Sequence, residues 1–130
     1  MPEAKILVIE DNPFMRQLLV SRLKANDYGV ITATNGQDGL IKAQKENPDL
    51  ILLDINMPNM DGFETATKLK NSVETKSIPI IFVTARGEDK DIFKAITELS
   101  SESYIIKPFR PEVLLDGIKK ALSKRKIRRG

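Results

Sequence analysis

The sequence predicts a doubly wound α/β domain, a five-stranded parallel sheet with helices on both faces. Three observations carry this reading. Short apolar runs of strand length alternate with helix-patterned segments from end to end, the pattern of a parallel sheet with crossover helices. The runs at 6–9 (ILVI) and 50–53 (LILL) are apolar at every position, as strands covered on both sides must be. A length of 130 residues fits one domain of ordinary size and leaves no room for a second.

The elements follow in order. The run at 6–9 is too short for a helix and rich in β-branched residues. Asn12-Pro13 marks a helix start, with Asn12 as N-cap and Pro13 at the first helical position. Met15, Leu18, Leu19 and Leu23 are expected on its inner face. A second strand is expected over 28–32, after the Asn26-Asp27 turn signal. Asn35 opens a second helix with Leu40, Ile41 and Ala43 inward, closed by Pro48. The strand at 50–53 is the most apolar and is expected at the centre. After the loop DINMPNMDG come a helix at about 63–69, a strand at 79–83, a helix at about 87–99 and a strand at 104–106. The last helix starts near Pro111, with Val113, Leu114, Ile118 and Leu122 inward.

Composition narrows the chemistry. The chain has no cysteine and no histidine, which removes disulfides, thiol chemistry and the usual zinc and copper ligands. Carboxylate oxygens are left as metal ligands. No apolar run approaches the roughly 18 residues of a membrane span, and no signal-peptide pattern opens the chain; a cytoplasmic setting without membrane contact is expected. The net charge is +3, and much of the excess lies in the final stretch GIKKALSKRKIRRG. Residues 1–124 are read as the folded domain and 125–130 as a basic tail. Cations at a helix C-terminus complement its dipole, and no aromatic residue interleaves this run, so nucleic-acid binding is disfavoured.

In a doubly wound sheet the functional groups gather at the carboxyl ends of the strands. Those ends carry Glu10-Asp11, Asp54, Thr84 and Lys107. Singly, each has a plain explanation as a capping residue, a β-branched strand end or an exposed cation. Together they place three carboxylates on one rim, which repel unless a cation neutralises them. Oxygen ligands without His or Cys favour Mg²⁺. Asp54 ends the central strand and is expected to be the nucleophile, since a carboxylate can form an acyl phosphate. Lys107 would offset charge on the phosphoryl oxygens and Thr84 would donate a hydrogen bond to them.

The ordered set VIEDN at 8–12, LLDINMPNMDG at 52–62, VTAR at 83–86 and YIIKPF at 104–109 resembles the response-regulator receiver domains of two-component signalling, over essentially the whole chain. The resemblance implies a flavodoxin-like sheet in strand order 2-1-3-4-5. It implies a phosphorylation-dependent switch rather than an enzyme, one that supports its own phosphorylation and slow autodephosphorylation. The phosphoryl group would come from a sensor histidine kinase or a histidine phosphotransfer protein, and a downstream effector would read the result. By the same resemblance Asp54 is the phosphoacceptor, Asp11, Asp54 and the backbone carbonyl of Asn56 bind Mg²⁺, and Glu10 reaches the metal through water. Thr84 and Tyr104 form the switch pair, Lys107 pairs with the phosphoryl group, and Lys107-Pro108 is the place for a cis peptide. The chain departs from the family pattern twice. The acidic pair is Glu-Asp rather than the commoner Asp-Asp, and Ser100-Ser101-Glu102-Ser103 stands where Gly-Ala-Asp-Asp is frequent.

Two other readings fit less well. A phosphatase of the haloacid dehalogenase type needs a second Asp two residues after its nucleophile, and that position is Asn56. A nucleotide-binding module would present a Gly-, Ser- or Thr-rich phosphate loop after the first strand, where this chain has Glu10-Asp11-Asn12.

Overall fold

The computed structural model describes residues 4–84, 103–107 and 109–129. Five parallel strands, β1 (Lys5–Ile9), β2 (Gly29–Ala33), β3 (Leu50–Leu53), β4 (Ile80–Thr84) and β5 (Ser103–Ile106), form one sheet in the order β2-β1-β3-β4-β5. This is the expected architecture and strand order. The described helices are α1 (Pro13–Ala25), α2 (Gly36–Glu46), α3 (Gly62–Lys70) and α4 (Pro111–Arg129). The helix expected over 87–99, the segment 100–102 and the expected cis peptide at Pro108 lie outside the described residues. Helix α4 continues through the stretch read as a tail, as far as Arg129.

Helix starts follow local chemistry. The side-chain oxygens of Asn12, Asn35 and Asp61 accept from the backbone N–H groups of Met15, Asp38 and Glu64 at 2.9, 2.8 and 2.8 Å, each satisfying a donor that the first helical turn leaves without a partner. Helix α2 stops at Asn47, in the left-handed region with φ 47°.

The alternation of strand side chains builds two cores. Leu7, Ile9, Ile51, Leu53, Ile80 and Phe82 pack on one face with Ala43 of α2 and Phe63, Ala66 and Leu69 of α3. Ile6, Val8, Leu50, Leu52, Ile81, Val83 and Ile105 pack on the other face with Leu19 and Leu23 of α1 and Leu114, Ile118 and Ala121 of α4. The rings of Phe63 and Phe82 meet at 5.4 Å with a 55° tilt, tying the start of α3 to β4.

Three side chains expected inside are not. Leu18, Ile41 and Val113 are 40%, 59% and 50% exposed. Each stands about 80–160° around its helix from the residues of the stripe that is buried, Leu19 and Leu23 in α1, Gly36, Gly39 and Ala43 in α2, and Leu114, Ile118 and Ala121 in α4. In α2 two of the inner positions are glycine: a Cβ on Gly39 would stand 2.9 Å from Ile9 Cγ1 of β1, and one on Gly36 2.9 Å from Met60 Sδ.

Candidate functional site

Register places the first two acids. Ile9 of β1 pairs with Leu53 of β3, so Glu10 and Asp54 are the next residues of adjacent parallel strands and leave the sheet side by side. The Asp54 N–H donates to the Ile9 carbonyl at 3.1 Å and the Glu10 N–H to the Ala33 carbonyl at 3.0 Å, so both backbones are fixed by the sheet. Glu10 is 1% and Asp54 5% exposed. Asp11, half-buried, completes a cluster in which one carboxylate oxygen from each acid lies within 4.8 Å of the others.

Lys107, at the end of β5, brings its ammonium to the same place. Its Nζ donates to Glu10 Oε1 at 2.8 Å and stands 3.7 Å from Asp54 Oδ2. The backbone N–H of Asn56 donates to Asp54 Oδ1 at 3.3 Å. The loop that carries Asn56 is held by its neighbours: Ile55 and Met57 are buried in the core on either side of it, and Asn56 is left exposed toward the cleft. The loop returns tightly to the acid. The Gly62 N–H donates to the Ile55 carbonyl at 2.8 Å, and a Cβ at Gly62 would stand 2.7 Å from Ile55 Cα and closer still to the Asp54 carbonyl oxygen. Only glycine fits against the backbone of the acidic residue.

These groups line a cleft of about 490 Å³, whose other wall is Phe14, Met15 and Leu18 of α1. Burial pushes the Asp54 carboxyl up to about 7, with the nearby Glu10 charge and a hydrogen bond to Glu10 acting in the same direction; Lys107 and the Asn56 N–H oppose the rise without cancelling it. Among the described residues, these two buried carboxyls share one lysine, which leaves the cluster short of positive charge. An all-oxygen donor set in a chain without Cys or His suits a hard divalent cation.

The structure thus brings Glu10, Asp11, Asp54, Asn56 and Lys107 to one cleft. Thr84 is the last residue of β4, paired in register with Ile106 immediately before Lys107; the orientation of its side chain lies outside the described part of the structure. Tyr104 is half-buried on the face of the sheet that carries Phe82, packed against that cluster. Sequence reasoning missed Arg16, whose guanidinium donates to the backbone carbonyls of Glu10 at 2.9 Å and Asp11 at 3.3 Å. A basic residue one turn into a helix gives no sign of this in the sequence.

A doubly wound parallel sheet with an acidic cluster and a lysine at its carboxyl edge defines the class as a flavodoxin-like α/β domain with a polar site at the strand ends. Comparison with known proteins gives the family. The sequence model described as "Response regulator receiver domain" matches residues 6–119, and the chain belongs to that family. It is 39% identical over 118 residues to the probable transcriptional regulator ycf27 of Porphyra purpurea, covering 91% of this chain and 47% of that protein. It is 34% identical over 120 residues to protein PilH of Pseudomonas aeruginosa, covering 92% of this chain and 98% of that one. Among solved structures, chemotaxis protein CheY4 of Vibrio cholerae superposes with a TM-score of 0.86 at 32% identity, covering 92% of this chain and 98% of that one. The chain spans about half the length of the transcriptional regulators it matches. Among the described residues no helix is long and apolar enough to cross a membrane.

Proposed function

We propose that this chain is a cytoplasmic signalling switch that accepts a phosphoryl group on Asp54, with Mg²⁺, from a sensor histidine kinase or histidine phosphotransfer protein. The observation that carries this is the buried Asp54 carboxyl, clustered with Glu10 and Asp11 and faced by Lys107. Asp11, Asp54 and the Asn56 carbonyl would hold the cation, with Glu10 reaching it through water. The bound cation would supply positive charge to the carboxylates and to the phosphoryl oxygens.

In the transfer, an Asp54 oxygen attacks phosphorus, the new O–P bond forms as the P–N bond of the donor phosphohistidine breaks, and the imidazole keeps the electron pair. Lys107 stabilises charge on the equatorial oxygens, and positioning with electrostatics accounts for most of the rate. Water later cleaves the acyl phosphate and resets the switch, which does not turn over a substrate as an enzyme does. The signal leaves through Thr84 and Tyr104. A phosphoryl oxygen gives the Thr84 hydroxyl a charged acceptor, worth roughly 1.5–3 kcal/mol, enough to tilt a two-state equilibrium about tenfold or more. Tyr104 borders a cleft of about 250 Å³ between β5 and α4, which supports this face as the one a downstream effector reads.

Incubation with acetyl phosphate or phosphoramidate and Mg²⁺ should give a single base-labile adduct by intact mass. Asp54→Asn should abolish it, and equal labelling of that variant would overturn the assignment.

A further inference from the structure

The acidic pair of this chain begins with Glu10, one methylene longer than aspartate, and the structure shows what that length reaches. Lys107 Nζ lies 2.8 Å from Glu10 Oε1 and 3.7 Å from Asp54 Oδ2. The first distance is a charge-assisted hydrogen bond and the second is beyond hydrogen-bond range. The lysine is therefore hydrogen-bonded to Glu10 and held at the longer range of an ion pair from Asp54.

Glu10 is held in this posture from three sides. Its second carboxylate oxygen accepts from the Asn12 N–H at 3.1 Å. Its own backbone carbonyl accepts from Arg16 at 2.9 Å, and the same guanidinium takes the next carbonyl, that of Asp11, at 3.3 Å. The side chain is 1% exposed, so water does not compete for these partners.

We propose that Glu10 is a positioning residue that holds Lys107 off Asp54 and so keeps Asp54 open to the cation. The inference rests on the metal-assisted phosphoryl acceptance proposed above. A shorter acid at position 10 withdraws the carboxylate from the lysine, and the next carboxylate within reach of Nζ is Asp54. A lysine hydrogen-bonded directly to Asp54, closer than the present 3.7 Å, competes with a divalent cation for the same oxygens. In the loaded state the same geometry gives Lys107 a short passage from Glu10 to a phosphoryl oxygen on Asp54, since an Asp54 carboxylate oxygen already lies 3.7 Å from Nζ.

The test compares the native chain with Glu10→Asp, Lys107→Met and the double variant, by calorimetric titration with Mg²⁺ and no phosphodonor. Glu10→Asp should weaken Mg²⁺ binding about fivefold, the scale of one partly screened charge pair. In the Lys107→Met background the same change should weaken binding clearly less, by no more than the loss of the water-mediated contact, because no lysine is left to redirect. Equal weakening in both backgrounds would mean that Glu10 acts on the cation directly, and would overturn the proposal, as would unchanged affinity in Glu10→Asp. An NMR measurement on the metal-free protein tests the posture independently of Lys107→Met and of any metal. Nuclear Overhauser contacts from the Lys107 ε-methylene should fall on the Glu10 γ-methylene in the native chain and move to the Asp54 β-methylene in Glu10→Asp. Stronger contacts to Asp54 than to Glu10 in the native chain would overturn the hold. Absence of Mg²⁺ binding in the native chain, with the lysine seen on Glu10, would instead overturn the metal reading of the site.

Discussion

Replacing Asp54 by asparagine keeps the shape of the side chain and removes a charge that its surroundings oppose. Burial and the neighbouring Glu10 push the carboxyl up to about 7 from an ordinary value of 3.8. Between those two values the folded chain holds a proton that the unfolded chain has lost. Stability therefore falls as pH rises through this window, and the full cost is present above about 7. A gap of roughly three pH units sets a ceiling of about 4 kcal/mol. The cleft opens to water on one side, and we expect about half of that ceiling, ~2 kcal/mol, after solvent screening. The carboxamide introduced by Asp54→Asn would still accept from the Asn56 N–H and would donate its amide to Glu10. The variant should thus be more stable than the native chain by ~2 kcal/mol at pH 8, or roughly 5–10 °C in Tm. The advantage should shrink to about 0.5 kcal/mol near pH 4.5 by the same linkage. Millimolar Mg²⁺ at pH 8 should close the gap by stabilising only the native chain. Urea denaturation of both proteins at the two pH values, with and without Mg²⁺, measures all of this. A difference independent of pH, or a less stable Asp54→Asn at pH 8, would refute the reasoning.

Other positions give further tests. Gly62→Ala drives a methyl group into the backbone of Asp54 and Ile55; it should cost about 1–3 kcal/mol in urea unfolding and weaken Mg²⁺ binding, while Gly117→Ala, whose nearest contact is Ile105 Cδ1 at 3.7 Å, should do neither. Ile118→Ala should cost about 2–5 kcal/mol and Val113→Ala less than about 1 kcal/mol, because the first is fully buried and the second half exposed. With beryllofluoride and Mg²⁺, amide NMR shifts should spread from Asp54 to Tyr104. Thr84→Ala should confine them to the cleft, and distant shifts that survive it would show another route.

The parts legible in the sequence are those governed by local pattern. Glu10, Asp54 and Lys107 each directly follow a strand and Asp11 comes one residue later, so locating the strands located the acids and the lysine, and Asn12 and Asn35 cap helices by contacts within three residues. Leu18, Ile41 and Val113 failed because apolar identity was counted without fixing the angle of the buried stripe, which is set by the sheet each helix rests on. The grip of Glu10 on Lys107 joins residues 97 apart in the chain. Side-chain length decides it, and length acquires meaning only once the two strands stand at a known distance. Arg16 is similar: its partners are carbonyl oxygens, which every residue has, and nothing in a sequence marks two of them as taken.

The pairing of Ile9 with Leu53 has a consequence for how such a chain can diversify. Because Glu10 and Asp54 extend two paired strands, their spacing is inherited from the backbone ladder, whose pitch is about 4.8 Å in any sheet. The surrounding surface contributes little to that distance. The exposed side chains of α1 and α4 can therefore be exchanged for those that suit another donor or effector without altering where the two acids stand. Recognition can drift while the chemistry stays in register.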